Sequence, residues 1–299
     1  MARRRPPTVH GIAVVDKPAG VTSHDVVGML RLRFSERRVG HAGTLDPSAT
    51  GVLVVGFGHV TRLLRFVVDG TKSYTGDVVL GVETDSLDAD GTVTARHDRA
   101  PVELHAARRI VADHLLGDIE QTPPMVSALK IDGRRLHALA REGIEVARAP
   151  RPVRVDRFDV TGSHIDADGR QVLSVEVDCS AGTYVRTLAA DLGRLLGGGA
   201  HLRALRRTAV APFTIAEAAP PDECVLLDPI DAVRALTSVV VDAGMEQKIG
   251  VGTVLPRPEG AGPWAMVTAD GRLLAVYEAH HPGTAKPSVV IPVAEEPSR

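Results

Sequence analysis

Two short, almost purely apolar runs constrain the fold of this chain most. GIAVV (residues 11–15) and GVLVVGF (residues 51–57) have the length and composition of strands buried on both faces. In the stretch LSVEVDCS, alternation places four apolar side chains on one face of a third strand: Leu173, Val175, Val177 and Cys179. Helical patterns separate the runs without the regular rhythm of βαβ units, which disfavours a doubly wound parallel sheet.

The remaining elements are predicted from helix-capping residues and from the glycines and prolines that end helices and strands. Ser23 is placed to cap a helix in which Val27, Leu30 and Phe34 share a face. HVTRLLRFVVDG (residues 59–70) is predicted as one helix closed by its final glycine, and residues 101–124 as a helix stopped by two prolines. From about residue 236 onward, short apolar runs and Gly/Pro turns indicate a small β domain.

Composition places the chain among ordinary soluble proteins. Its 299 residues are 44% hydrophobic and 24% charged, which suits one large domain plus a small one. Cys179 and Cys224 show no metal or disulfide spacing, so we interpret them as core thiols in a reducing cytoplasm. The basic N-terminus lacks a signal-peptide core, and no run approaches the roughly 20 apolar residues of a membrane helix. We therefore expect a cytoplasmic protein that does not enter a membrane.

The charge is unevenly distributed, although the net charge is only −2. Residues 121–157 hold eight Lys/Arg against four acids, whereas residues 211–299 hold six basic and twelve acidic groups. One basic face able to follow a phosphate backbone would explain this asymmetry, and so would an ordinary solvated surface.

Several familiar chemistries are absent from the sequence. GFGHVT lacks the third glycine of a dinucleotide fingerprint, and the chain contains no P-loop, no HExxH motif and no GxSxG elbow. The histidines are scattered without metal-ligand spacing. We therefore expect any catalysis to need neither a cofactor nor a metal.

One acidic residue stands alone in HAGTLDPSATGVLVVGFG, residues 41–58. Taken by itself, Asp46 before Pro47 is typical of a residue that opens a turn through its own local backbone. A functional carboxylate among glycines and small residues is the alternative, because such neighbours allow close approach of a ligand. The stretch alone does not decide between them.

Five fragments together resemble one known family. DKPAGVTS, GHAGTLDPSATGVL, KSYTGDVVLG, TPPMVSALKIDGRRLHALAREGIEV and GTYVRTLAADLG resemble, in order and spacing, the bacterial tRNA pseudouridine-55 synthases of the TruB family. The resemblance covers about residues 10–215. It implies an α+β pseudouridine synthase fold, in which helices flank a mixed, largely antiparallel central sheet. It further implies a small C-terminal β-rich domain, PUA-like and RNA-binding.

The resemblance also implies the reaction and its residues. The family isomerises uridine 55 in the T loop of tRNA to pseudouridine after base flipping, without a cofactor. Asp46 matches the catalytic carboxylate, which forms an adduct with the substrate or stabilises a ribose-centred intermediate. Arg186 matches the arginine that pairs with this carboxylate. Tyr74 matches the tyrosine that stacks on the base and is placed to move its proton. The remaining expected contacts to the flipped nucleotide come from His41, Tyr184 and Leu205.

The Arg-rich segment, residues 121–157, resembles the part of the family that reaches into the tRNA elbow. Where tyrosines are expected, this chain has His137 and Leu139, which shifts the expected role towards phosphate contacts by Lys130, Arg134, Arg135 and Arg141. We predict a catalytic domain over residues 1–235 and the small domain over 236–299, acting on the tRNA T arm without a protein partner. The alternatives are a guide-RNA-dependent synthase and a non-catalytic protein that binds and folds tRNA.

Overall fold

The computed structural model describes residues 6–292 apart from residues 128 and 132, and of Lys130, Arg135 and His137 it describes the backbone alone. The six helices of this part of the chain are α1 (Ser23–Arg33), α2 (Arg65–Val68), α3 (Leu104–His114), α4 (Leu136–Arg141), α5 (Val185–Leu195) and α6 (Ala243–Gly250). None of the helices in these ranges is long and apolar enough to cross a bilayer.

Strands dominate the chain. In order, they are β1 (Gly11–Lys17), β2 (Val39–Ala42), β3 (Thr50–Phe57), β4 (Lys72–Leu80), β5 (Val82–Thr84), β6 (Val93–Arg96), β7 (Gly117–Gln121), β8 (Lys130–Ile131), β9 (Arg134–Arg135), β10 (Arg151–Ile165), β11 (Gln171–Cys179), β12 (Ala200–Val210) and β13 (Phe213–Thr214). The C-terminal strands are β14 (Thr237–Val240), β15 (Leu255–Pro256), β16 (Trp264–Val267), β17 (Leu273–Ala279) and β18 (Thr284–Val290).

Nine strands form the central sheet, with seven in the order β1-β3-β12-β4-β11-β10-β7, β2 beside β3 and β13 beside β12. The pairing of β3 with β12 is parallel, and the other pairs are antiparallel. This confirms the predicted mixed, largely antiparallel sheet. The parallel junction matters for function, because it brings the residues that follow β2 next to the middle of β12.

Apolar side chains cover one face of the sheet at β4, β10 and β11 and both faces at β1 and β3. On one face, α3 and α5 pack their buried residues, such as Val111 and Leu188, on strands β4, β10 and β11. At the other end, α1 covers one face of β1 and β3, and residues 60–67 cover the opposite face. The runs GIAVV and GVLVVGF are therefore buried on both sides, as their composition predicted.

The C-terminal strands form a separate five-stranded sheet in the order β14-β16-β17-β18-β15. Its core contains the fully buried Trp264 and Tyr277, packed with Ile249 of α6. Ala265 and Val276 belong to the same apolar cluster as Ile12 of the central sheet, so this β-rich part packs directly on the larger one.

Two predicted helices differ from the structure. The stretch 59–70 is wrong as a single helix: a 3-10 turn over Gly58–Arg62 precedes the four-residue α2. Its backbone makes i→i+3 bonds, including Leu63 N–H to the Val60 carbonyl at 2.8 Å and Val67 N–H to the Leu64 carbonyl at 3.0 Å. The helix predicted to reach the prolines ends at His114, and residues 117–121 add strand β7 at the sheet edge.

The predicted cap of α1 is also wrong by one residue. Thr22 is the N-cap, and its side chain and that of Asp25 form a reciprocal capping box. Ser23 is buried instead, where its hydroxyl donates to the Leu45 carbonyl at 3.1 Å and accepts from the Leu45 N–H at 2.9 Å. The residue expected to start a helix therefore fastens the loop that carries Asp46.

Candidate active site

A cavity of about 270 Å³ opens where four segments of the sheet meet. The segments are the loop between β2 and β3, the N-terminal end of β4, the loop from β11 into α5, and the middle of β12. The polar and aromatic residues that line it are Thr44, Asp46, Lys72, Tyr74, Ser127, Thr183, Tyr184, Arg186 and Arg207. Leu205 and Val68 are among its apolar lining residues.

The loop that carries Asp46 is held from several sides. Besides Ser23, the buried Lys17 ammonium donates to the Pro47 carbonyl at 3.1 Å, and Arg207 donates to the Gly43 carbonyl at 3.1 Å. The loop does contain a turn, because the Asp46 carbonyl accepts from the Ala49 N–H at 3.1 Å. The Asp46 side chain takes no part in that turn: it points at Arg186. The turn interpretation is therefore correct for the backbone but does not account for the carboxylate.

Arg186 joins two carboxylates inside the protein. Its side chain is 5% exposed, and its Nε lies 3.1 Å from Oδ2 of Asp46. Its Nη1 lies 3.1 Å from Oδ2 of Asp88 and donates to the Ser86 carbonyl at 2.8 Å. Its Nη2 donates to the Val126 carbonyl at 2.9 Å. Every nitrogen of the guanidinium has a partner, which fixes the direction in which it presents Asp46.

The electrostatics of Asp46 differ from a simple ion pair. Burial raises the pKa of its carboxyl above the ordinary 3.8, and the Arg186 charge opposes this rise without cancelling it. Asp88 raises the pKa of Asp46 further, because a second negative charge shares the same arginine. Asp46 is thus held in place by Arg186 while remaining easier to protonate than an aspartate in water.

Tyr74 lies on β4 with its ring buried in the cavity wall, 8% exposed. In the sheet register it pairs with Val177 on one side and Arg207 on the other. Burial raises the pKa of its phenol, and a hydrogen bond and the charge of Arg207 act in the opposite direction.

Tyr184 and Leu205 complete the apolar side of the cavity. Tyr184 immediately precedes α5, and its backbone exchanges two hydrogen bonds with the Gln121 amide, at 2.7 and 3.1 Å. Leu205 follows Ala204, whose φ of 54° lies at a break in the β12–β4 register. Such an irregularity re-aims the next side chain, here into the cavity.

His41 is the one expected nucleotide contact that does not line this cavity. It lies on β2 opposite Val55, half-buried, and its buried Nδ1 has no hydrogen-bond partner among the described residues. Burial and the Arg207 charge lower its pKa below 6.5, so the ring is neutral at physiological pH.

The basic residues of segment 121–157 do not act as a single free patch. Arg134 is paired with Glu142 at 2.5 Å, whereas Arg141 is exposed and has no ion pair in the described part of the chain. The side chains of Lys130 and Arg135 lie outside the described residues. Arg154 and Arg157 belong to β10 and are held by acids of β7, β10 and β11. Leu139 is buried and does not present a stacking surface.

Sequence models of two protein families match the chain consecutively. TruB family pseudouridylate synthase, N-terminal domain, matches residues 31–185. The tRNA pseudouridylate synthase B C-terminal domain matches residues 186–233. This chain belongs to the TruB family of pseudouridine synthases.

Relatives and solved structures agree with membership in the TruB family. A protein of Arthrobacter sp. (strain FB24) named tRNA pseudouridine synthase B is 43% identical over 97% of this chain and 99% of its own length. A protein of the same name from Corynebacterium glutamicum is 45% identical over 90% of this chain and 92% of its own length. An H/ACA ribonucleoprotein bound to a substrate RNA contains a chain with a TM-score of 0.69 and 21% identity, covering 96% of this chain and 85% of that one. At that identity, the likeness shows the shared pseudouridine synthase fold.

Sequence analysis missed three charged residues around this TruB-family cavity. Asp88 lies outside the five fragments that resemble the family, yet it shares Arg186 with Asp46. Lys72 begins the fragment KSYTGDVVLG without being given a role, and Arg207 lies outside the fragments, yet both are buried in the cavity wall. No local pattern identifies them, because their partners lie far along the chain, 98 residues away in the case of Arg186 and Asp88. Among the described residues, no cluster of three His, Cys, Asp or Glu could hold a metal ion.

Proposed function

We propose that this chain converts uridine 55 in the T loop of tRNA to pseudouridine, with Asp46 as the nucleophilic carboxylate. The observation that carries the proposal is the Asp46–Arg186 pair, joined at 3.1 Å at a cavity that is also lined by Tyr74, Tyr184 and Leu205. Because a uracil cannot reach Asp46 while stacked in the T loop, the nucleotide must flip out of the RNA. The aromatic and apolar lining residues offer the base a replacement for its lost stacking.

The reaction needs a nucleophile, a cavity that holds the detached uracil and a group that transfers a proton. Asp46 attacks C1′ of the ribose as the bond from C1′ to N1 breaks, and the electron pair of that bond leaves with the uracil. The base turns in the cavity, and its C5 then bonds to C1′ as the Asp46 carboxylate leaves. C5 loses its proton and N1 gains one, so the product is an isomer of the substrate. Tyr74 is placed to move the C5 proton, and Arg186 keeps Asp46 aimed at the sugar.

The alternatives are less well supported. A protein that only binds and folds tRNA needs no buried arginine shared between two aspartates, one of which lines a cavity. Guide-dependent action is suggested only by structural neighbours below 25% identity, whereas relatives at 42–46% identity are named tRNA pseudouridine synthase B. We therefore infer action on tRNA directly, without a guide RNA or an obligatory protein partner, in the cytoplasm where tRNA is modified.

RNA binding outside the cavity is assigned to two regions. Arg134 and Arg141, with Lys130 and Arg135, are proposed to contact phosphates of the T arm. His41, two residues before the cavity-lining Gly43, is proposed to fill space left by the flipped nucleotide. Residues 236–299 are proposed as a separate PUA-like RNA-binding domain that follows a catalytic domain over residues 1–235.

The test is incubation of the purified chain with an unmodified T-arm RNA, with no other RNA present, followed by nucleoside analysis and mapping of the modified position. We expect pseudouridine at position 55 alone. Asp46→Asn keeps the side-chain shape and should abolish product while tRNA affinity changes by less than roughly tenfold, about 1.4 kcal/mol. Turnover by Asp46→Asn at the wild-type rate would overturn the role of Asp46, and product at other positions would overturn the U55 assignment.

A further inference from the structure

Two buried cations lie side by side in the cavity wall. Lys72 is 7% exposed and Arg207 is 1% exposed, on the neighbouring strands β4 and β12. Both lie beneath Gly43: a Cβ added there would be 3.5 Å from Nη1 of Arg207 and 3.7 Å from Cε of Lys72. Gly51 lets Arg207 approach, because a Cβ at that position would be 2.1 Å from the Arg207 carbonyl oxygen.

Neither cation has a carboxylate partner within the described ranges. Lys72 donates to the carbonyls of Val68 and Gly70 at 2.6 and 2.9 Å. Arg207 donates to the carbonyls of Val52 and Gly43 at 2.8 and 3.1 Å. Carbonyl dipoles satisfy the N–H groups but leave both positive charges uncompensated, which is costly in a protein interior.

The charges around the cavity do not balance. Its lining contains three cations, Lys72, Arg186 and Arg207, and one carboxylate, Asp46. Arg186 is already divided between Asp46 and Asp88, so Lys72 and Arg207 remain as surplus positive charge. Burial and the Arg207 charge lower the pKa of Lys72 to about 8, while Cys179 and Asp69 raise it only weakly. An anion entering the cavity would relieve this repulsion.

We propose that Lys72 and Arg207 form an anion subsite that stabilises the negative charge on the detached uracil. The proposal rests on the proposed function, in which the bond from N1 to C1′ breaks and its electron pair stays on the base. The charge is then shared by N1, O2 and O4 of the ring until C5 bonds to C1′, C5 loses its proton and N1 is protonated. Fixed cations in a water-poor cavity stabilise such a charge without having to reorganise.

The position of the two cations favours the base over a backbone phosphate. They flank Tyr74, because Lys72 lies two residues before it on β4 and Arg207 is its register partner on β12, so a ring stacked on Tyr74 lies against them.

The decisive variant is Lys72→Met, which keeps the aliphatic stem and removes the charge. Under single-turnover conditions with T-arm RNA, we expect its rate to fall by about 10²-fold, the size of effect seen when one oxyanion donor is removed. The affinity for the RNA, and its dependence on salt, should stay unchanged. Arg109→Met, at an exposed position of α3 outside the cavity and outside the residues assigned to RNA, removes the same charge, serves as the control and should behave like wild type.

Each other outcome has a definite meaning. Weaker RNA binding with a salt slope flattened by about one unit would assign the subsite to a phosphate and overturn the proposal. A wild-type rate for Lys72→Met would also overturn it. If the wild-type chain makes no pseudouridine, the proposed function fails instead.

A second variant separates charge from structure. The wild-type rate should fall as the pH rises through the pKa of Lys72, about 8, because the neutral amine cannot stabilise an anion. Lys72→Arg should keep most of the rate and lose this alkaline limb. Lys17 also has a pKa of about 8, and its ammonium donates to the backbone carbonyls of Pro18, Val21 and Pro47. Because Lys72→Arg leaves Lys17 unchanged, the variant separates the titration of Lys72 from that of Lys17. A limb that persists in Lys72→Arg would contradict the assignment.

Discussion

Arg186 in the cavity and Arg157 on the sheet surface each pair with several carboxylates, yet they differ in burial and in the pKa of the acids that they hold. Arg157 lies within 2.6 Å of Glu176 and 2.7 Å of Asp178, and its side chain is 40% exposed. Arg186 is 5% exposed and makes longer contacts, 3.1 Å to both Asp46 and Asp88. Water reaches the Arg157 guanidinium but hardly reaches that of Arg186, although the Asp46 side chain is still 38% exposed, so contact distance alone does not rank the two arginines.

The difference also appears in the acids. Arg157 lowers the pKa of Asp178 below its ordinary value, because Asp178 gains a hydrogen-bonded partner at little desolvation cost. Asp46 has a similar partner, but burial and Asp88 outweigh it and raise its pKa. A surface arginine therefore makes its acid stronger, whereas the cavity arginine restrains an acid that burial makes weaker.

Removing Arg186 should have the largest effect. In Arg186→Met, Asp46 and Asp88 would face each other without a cation, and we expect unfolding free energy to drop by about 3–5 kcal/mol and pseudouridine formation to stop. Urea unfolding and the T-arm assay measure both. The control is Asp88→Asn, which leaves Arg186 paired with Asp46 and should cost much less. Equal losses in the two variants would contradict the view that an unpaired buried charge is the main cost.

The phenol of Tyr74 should have a smaller effect, confined to chemistry. Tyr74→Phe keeps the ring that stacks on the base and removes the hydroxyl, so RNA affinity should be retained. If the hydroxyl moves the C5 proton, the single-turnover rate should fall by about 10²-fold or more. A wild-type rate would restrict Tyr74 to stacking.

The elements near the cavity differ in how far sequence could predict them. GIAVV and GVLVVGF were predictable as strands because burial on both faces needs continuous apolar runs. For residues 59–70, the spacing of apolar residues correctly predicted which side chains are buried together, namely Val60, Leu63, Leu64 and Val67. The same spacing does not show that the backbone makes i→i+3 hydrogen bonds. Backbone hydrogen bonding in such short segments is set by packing rather than by propensity.

The same limit applies to the site. Motif resemblance identified Asp46, Tyr74 and Arg186, and the structure places all three at one cavity. It could not identify Asp88, Lys72 or Arg207, because their importance lies in the charge balance of a folded pocket. Nor could it show that Arg134 and Arg157 are already occupied by neighbouring acids.

The exposed segment around Arg141 should contribute affinity and no chemistry. In a double variant, Arg134→Gln and Arg141→Gln, the slope of log affinity against log salt should flatten by about one to two units if both contact phosphates. Because Arg134 is held by Glu142, the single Arg141→Gln variant should account for most of the change. The saturated rate at high enzyme should equal that of wild type. An unchanged slope would remove this segment from the RNA interface.

The smallest effect is expected for Arg157. In Arg157→Met, two exposed pairs and one half-exposed pair are lost, so unfolding free energy at pH 7 should change by less than about 1 kcal/mol, and activity should not change. The pH dependence gives a sharper test. Because Arg157 depresses the folded-state pKa of Asp178, its contribution is present above the ordinary aspartate value of 3.8 and is lost as the pH falls through the lower folded-state value. The gap between wild type and Arg157→Met in urea unfolding should therefore narrow below about pH 4. A gap that stays constant into the acid range, or that matches the loss in Arg186→Met, would mean that exposure does not separate the two arginines.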